Sequence, residues 1–440
     1  MVITILETLN RIAWGIPTLC LFLGSGLWFS WKTRWVQIRC LPKAFVAIRS
    51  DLMPPKDGAD KRNLSTTGAL LASLGAVMGP GNLIGVSSAI LIGGAGAIFW
   101  MWLSAVLGMA TRYIESALAV RYRQCADGVN YGGPMYVMRA HGWKRMAAIF
   151  SVAGIFLSLT MANALPAGAL GRALEVSFSV PTMVTGIFLT VFTAMVIYGG
   201  GRRIAKVSAV LIPVVCFFFI GVSLWILAAN PTKLWDSLTE IVCGAFSTKA
   251  GIGGLVGTTI RFGFARGIYS NEAGMGTEPI LAASTAEPNF IRQGFISMTG
   301  PFLDTVVFCS FTAFVVVMAG MIPNTDAATL TAAAFASFLP GCGEFVVQVT
   351  MTLLVMATLS SWAFYGEQCI TYFSKRPLGK QIYRGVYILL PLFCVTMDLQ
   401  IIFLLSDLVM ALMAIPNLLV CLRLGREVYA KKTSETSGCR

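Results

Sequence analysis

The run Ala76-Val77-Met78-Gly79-Pro80-Gly81-Asn82-Leu83-Ile84-Gly85 combines residue types that suit ligand binding rather than bond making. Pro80 has no N–H and its ring collides with the preceding turn, while Gly79 and Gly81 tolerate unwound backbone, so a helix is predicted to break here into two halves. The second half would start at Gly81, Asn82 and Leu83. It would present unpaired N–H groups and the positive end of a helix dipole, an arrangement suited to a carboxylate or another anion. A second glycine-dense run, Phe246-Ser247-Thr248-Lys249-Ala250-Gly251-Ile252-Gly253-Gly254-Leu255-Val256-Gly257, invites the same unwinding. Either run alone fits close helix packing through small residues equally well.

Covalent chemistry has little to work with. His141 is the only histidine of the chain, so Ser-His-Asp, HExxH and multi-histidine sites lack their partners. The eleven cysteines are scattered singly without a CxxC pair, which signals neither a zinc cage nor a disulfide framework. No enzyme and no cofactor are expected.

The elements that must position these runs follow from composition. Of 440 residues, 56% are hydrophobic and 12% charged, about half the charge of a soluble domain, and mean hydropathy is +0.75. The chain therefore reads as an all-α polytopic membrane protein. Cutting at charged and Pro/Gly-rich breaks gives about eleven spans, near 12–31, 67–95, 97–120, 146–169, 182–200, 207–229, 238–263, 294–320, 343–365, 383–399 and 401–422. The first is kept as a true span, because its basic residues follow the apolar stretch instead of preceding it as in a signal peptide.

Placing Lys and Arg on alternating sides puts 28 of 33 in segments 32–62, 121–145, 202–206, 261–292, 375–384 and 423–440. By the positive-inside rule these face the cytoplasm, so the N-terminus is outside, the C-terminus is inside and the span number is odd. The net charge of +13 is thereby a matter of topology and needs no nucleic acid.

With these spans, the two glycine-rich runs fall at the start of two five-span blocks of opposite orientation. Gly-interrupted helices at matching positions of inverted halves are the sequence pointer to a secondary-transporter site. The chain divides accordingly into residues 1–66, an N-terminal span and basic loop; 67–229, a first five-helix repeat; 230–422, a second, inverted repeat; and 423–440, a cytoplasmic tail.

Several polar residues have plainer readings. Asp304 and Asp407 lie at membrane depth, where a carboxylate marks cation coupling or a proton relay unless a structural hydrogen bond holds it. Arg112 and Glu115 are three apart and read as a structural ion pair. Lys249 reads as snorkelling outward, and Phe99, Trp100 and Trp102 as interface anchors. The Ser270–Thr277 run is expected in a cytoplasmic connection, with an inner gate as the sharper alternative.

The residues also resemble a known family. Gly79-Pro80-Gly81-Asn82, the run Gly93-Gly94-Ala95-Gly96-Ala97-Ile98-Phe99-Trp100-Met101-Trp102 and Gly108-Met109-Ala110-Thr111 are similar to the alanine or glycine:cation symporters, also called sodium:alanine symporters. So are Gly132-Gly133-Pro134-Met135-Tyr136, Ser270-Asn271-Glu272-Ala273-Gly274-Met275-Gly276-Thr277, Trp362 with Tyr365-Gly366-Glu367, and the stretch from Asp407 to Asn417. The resemblance spans about residues 12–425.

It implies a LeuT-type fold, with one extra N-terminal helix before two inverted five-helix repeats containing discontinuous helices. It further implies sodium-coupled uptake of small neutral amino acids. Carried over, Gly81 and Asn82 would meet the substrate carboxylate, with Asn82 touching substrate or helping to hold a cation, and Ser88 would line the site. The unwound backbone at Gly251, Gly253 and Gly254 would face the ammonium, and Trp362 would wall the pocket. A sodium ion would sit on the carbonyls of Gly75 and Met78 and the hydroxyl of Thr358, oxygen ligands that suit a hard cation. The chain departs from the family at Pro80, where Thr or Ser is usual, and at Ala357, where Ser is usual.

The expected function is cation symport of alanine, glycine or D-alanine by alternating access, with Na+ as the co-transported ion in a bilayer. The missing oxygen at Ala357 motivates a proton-coupled carrier or exchanger as the alternative. A non-transporting amino-acid sensor is a third reading, although no signalling domain is visible.

Overall fold

The computed structural model describes residues 2–51, 63–246, 255–320, 322–323, 325–397 and 399–435. Among them, seven helices are long and apolar enough to cross a membrane: Ile3–Lys32, Ala97–Arg121, Lys144–Phe178, Gly200–Ala229, Phe290–Ala319, Gly343–Phe373 and Gln400–Ala430. An eighth crossing is the pair Thr66–Val77 and Gly81–Gly93, bent by 55°. Thr182–Ile197 is a shorter apolar helix, and Pro377–Cys394 lies at the expected tenth span. These follow the hydropathy pattern, without fixing the number of crossings at eleven.

Apolar side chains on the Gly200–Ala229 helix face outward, with Phe217 83% and Trp225 70% exposed. Such exposure is costly in water and natural against lipid. The opposite side of that helix packs on Thr66–Val77 and Gly343–Phe373. Thr66–Val77 is thereby enclosed by neighbours, and nine of its twelve residues are buried.

The break in this helix falls where Gly79 and Pro80 place it, between Val77 and Gly81. Its second half opens with a π turn, Gly81–Gly85, before Val86–Gly93. The carbonyls of Gly79 and Pro80 take the amides of Asn82, Leu83 and Ile84 at 2.8 to 3.1 Å. The row of free amides expected here narrows to Gly81, whose N–H neither carbonyl receives.

The seventh expected span is placed differently. Leu255–Asn271 is a helix, residues 272–277 are irregular, and Glu278–Ala283 is a second helix. The Ser270–Thr277 run is thus a buried helix break: Ser270, Asn271, Glu272 and Thr277 are each at most 4% exposed. Gly274 and Gly276 have φ of +93 and +81, and a side chain on Gly276 would overlap Pro134 and Asn417. That turn therefore requires glycine. Gly251, Gly253, Gly254 and Lys249 lie outside the described residues.

Arg261 and Arg266 were grouped with the cytoplasmic segments, yet they line a pocket with Glu7, Asn10 and Arg11 of the first helix.

Candidate functional site

The first helix break lines a cavity of about 420 Å³. Gly79, Pro80, Gly81, Ile84, Gly85 and Ser88 form one wall of it. Met161, Leu165 and Pro166 come from a second irregular helix, in which a π turn at Thr160–Ala164 joins Lys144–Leu159 to Leu165–Phe178. Thr358 and Trp362 project from Gly343–Phe373, one turn apart on one face. Arg266, Tyr269 and Ser270 come from the Leu255–Asn271 helix and Glu272 from the break that follows it. The cavity is largely apolar, with one cationic and one anionic side chain in its lining.

Trp362 is 1% exposed and meets Tyr365 edge-on at 5.3 Å. It is a fixed wall. Gly81 faces Tyr269, since a side-chain carbon there would stand 3.5 Å from the ring. The cavity is therefore narrow between these two residues.

Thr358 donates its hydroxyl to the Met78 carbonyl at 3.3 Å across the first break. A Cβ on Gly75 would lie 2.9 Å from Ser361 Oγ and 3.3 Å from Ser208 Oγ, and those two hydroxyls are 3.4 Å apart. Ala357 indeed supplies no oxygen. Ser361, one turn after Thr358, and Ser208, from the Gly200–Ala229 helix, were not singled out as ligands from sequence, yet they place hydroxyls against the backbone at Gly75. Carbonyls of a broken helix beside hydroxyls make an oxygen-rich pocket suited to an alkali cation.

Asn82 is fully buried and points behind the cavity wall. Its Nδ2 donates to Asp304 Oδ1 at 2.6 Å, and its Oδ1 accepts from the Gly79 amide at 3.2 Å. Asp304 Oδ2 also accepts from Ser270 Oγ at 2.7 Å and Thr305 Oγ1 at 2.8 Å. Asp304 thereby joins both helix breaks to the Phe290–Ala319 helix, itself loosened by a π turn at Phe302–Phe308. All its donors are neutral, so a dry carboxylate here calls for a cation or a proton.

Asp407 goes elsewhere. It lines the pocket of Glu7, Arg11, Arg261 and Arg266, of about 280 Å³, and the Asp407 carbonyl accepts from Trp14 Nε1. The structure thus brings Gly81, Ser88, Thr358 and Trp362 around one cavity, sets Asn82 with Asp304 behind it, and separates Asp407. Tyr269, Ser270 and Glu272 were missed as cavity residues. Their signal was the Asn-Glu-Ala-Gly-Met-Gly run, whose two glycines resemble those of the first break.

Arg112 and Glu115 form the expected buried pair, Nη1 to Oε1 at 3.3 Å. They also brace the second break: Arg112 Nη2 donates to the Asn271 carbonyl at 2.6 Å, and Asn417 Nδ2 donates both to Glu115 at 2.8 Å and to the Gly274 carbonyl at 2.9 Å.

Broken helices around a central cavity define a LeuT-type secondary transporter, and the fold agrees. MhsT, solved in complex with L-phenylalanine, superposes with a TM-score of 0.59 at 13% identity, covering 81% of this chain and 88% of that one. Residues 1–435 match the sodium:alanine symporter family, and the chain belongs to it. It is 38% identical to an uncharacterized transporter of Haemophilus influenzae, over 98% of this chain and 95% of the relative. The sodium/alanine symporter AgcS of Methanococcus maripaludis is 35% identical, over 98% of this chain and 96% of its own length. The family is one of transporters, not enzymes.

Proposed function

We propose that the protein carries a small neutral amino acid (alanine, glycine or D-alanine) together with Na+ across the cytoplasmic membrane by alternating access. The observation that carries this reading is the cavity itself: it lies at the first helix break, and Thr358 closes the oxygen pocket across that break. Family membership and the name of the archaeal relative support the amino acid and the ion.

In this reading the substrate carboxylate lies at Gly81, and Ser88 and Trp362 bound the side-chain space. Na+ takes the carbonyls of Gly75 and Met78 with the Thr358 hydroxyl, and Ser361 supplies the oxygen that Ala357 lacks. Asn82 and Asp304 form a second cation position linking both breaks. The backbone of the second break takes the ammonium-facing role first given to Gly251, Gly253 and Gly254. Residues 67–229 and 230–422 are the inverted repeats, the N-terminus is outside, and the cavity opens toward that side, where Ala327, Gln400 and Phe403 line it.

Uptake of radiolabelled alanine into cells expressing the protein tests the coupling, with Na+ replaced by choline at fixed pH. Collapse of uptake on replacement supports sodium symport. Unchanged uptake, lost instead on dissipating the proton gradient, would replace Na+ by a proton at Asp304.

A further inference from the structure

The second helix break contains more acid than base. Glu115, Glu272, Glu278 and Asp304 are all at most 2% exposed, and the buried guanidinium among them is Arg112. A dry interior does not hold such an excess of charge without compensation. Each of the other three carboxylates besides Glu272 takes two or more donors from within the protein. Glu115 has Arg112, Asn417 and the Gly274 amide. Glu278 takes the hydroxyls of Ser116 and Ser297 at the first turn of its helix. Asp304 takes Asn82, Ser270 and Thr305.

Glu272 differs from these in two respects. Among the described residues its side-chain donor is Thr277 Oγ1, at 2.8 Å to Oε2. It also lines the cavity, where the other charged lining residue is Arg266. Its backbone has φ of +51, in the left-handed region that a long side chain occupies only with strain. Glycine or asparagine would sit there with less strain, so local stability does not explain a glutamate.

We infer that Glu272 is the carboxylate that receives the substrate's ammonium group. Resting on the amino-acid reading above, this gives the zwitterion a negative partner on the second break, opposite in sign to the amide of Gly81 on the first. It predicts that the cavity separates amino acids from hydroxy acids of the same size. A cavity relying on neutral carbonyls alone would discriminate less, because a hydroxyl also donates to a carbonyl.

The test is binding of radiolabelled alanine to the purified full-length protein in saturating NaCl, with unlabelled alanine or lactate as competitor. Wild type is expected to prefer alanine over lactate strongly. Glu272→Gln should weaken alanine by roughly 100-fold, the scale of a desolvated ion pair that loses one partner, and leave lactate nearly unchanged. Glu272→Asn, which suits the backbone, should keep the wild-type thermal midpoint while losing the preference, and Glu272→Asp should retain part of it. Equal loss in the Asp, Asn and Gln variants, or an unchanged preference in all three, would overturn the inference. Failure of wild type to bind alanine would instead sink the amino-acid reading and this inference with it.

Discussion

Asn82 Nδ2 stands 2.6 Å from Asp304 Oδ1, although the two residues are 222 positions apart in the chain. Through Asn82 the carboxylate is tied to the Gly79 amide, and through Ser270 to the second break. A change in one break is therefore felt by the other through a single buried carboxylate.

Asp304→Asn keeps the size and one oxygen acceptor but removes the charge. Cation-driven accumulation should fall by roughly tenfold or more, within the usual range of coupling between two ligands. Counterflow exchange of alanine at equal ion concentration should be less affected. Equal loss in both assays would assign Asp304 to structure alone.

Thr358→Val is isosteric and deletes the hydroxyl that reaches Met78. The sodium concentration for half-maximal uptake should rise by about tenfold, the loss of one oxygen contact worth about 1.4 kcal/mol. Ser361→Ala should shift it in the same direction by less. A dose–response in NaCl at constant ionic strength reads both, and an unchanged midpoint in Thr358→Val would remove this residue from the ion pocket.

Gly81 faces the Tyr269 ring with room for one carbon at 3.5 Å. Gly81→Ala should fold normally and narrow the cavity, so glycine should be retained while alanine loses roughly tenfold in uptake efficiency, the usual penalty of one methyl group. Competition between labelled glycine and unlabelled alanine measures the ratio. No change in it would place the substrate away from Gly81.

Outside the membrane, Asp326 closes the turn that leads into the Leu330–Phe338 helix, its Oδ1 accepting from the Thr329 hydroxyl and from the amides of Ala328 and Thr329. Led by the Thr329 hydroxyl, these bonds hold the carboxyl below its usual range, so the ionised form is favoured in the folded state. The contribution is present above the unfolded value near pH 4 and is lost as pH falls through the folded one. Asp326→Ala should cost about 0.5–1 kcal/mol at neutral pH, the net worth of such turn hydrogen bonds, and thermal midpoints of the two proteins should converge in acid. A constant gap across pH would show that the turn does not depend on the charge.

The first break was legible because proline and flanking glycines interrupt an apolar run, and no neighbouring element alters that local arithmetic. A second break lies at 272–277, about 20 residues beyond the glycine run at 251–257, part of which falls outside the described residues. Glycine density drew the reading to 251–257, and arginines before 272–277 made that segment read as a cytoplasmic loop. What the sequence could not convey is that Arg261 and Arg266 share a water-accessible pocket with Glu7 and Asp407, contacts formed only when the N-terminal helix packs beside the last one. Likewise Asn82 was expected to touch substrate or to help hold a cation, and its turn toward Asp304 depends on a partner 222 positions away. Ser208 and Ser361 carry no motif and were recoverable only from the packing of two helices.

The central claim is that a sodium gradient drives a small amino acid through the cavity between the two breaks. It is tested most directly by alanine accumulation in proteoliposomes of the full-length protein, with an imposed sodium gradient, an imposed proton gradient or neither, for wild type and Asn82→Ala. The account predicts accumulation above equilibrium with the sodium gradient alone, and its loss in Asn82→Ala. Accumulation driven only by protons, or sodium-driven accumulation unaffected by Asn82→Ala, would contradict it.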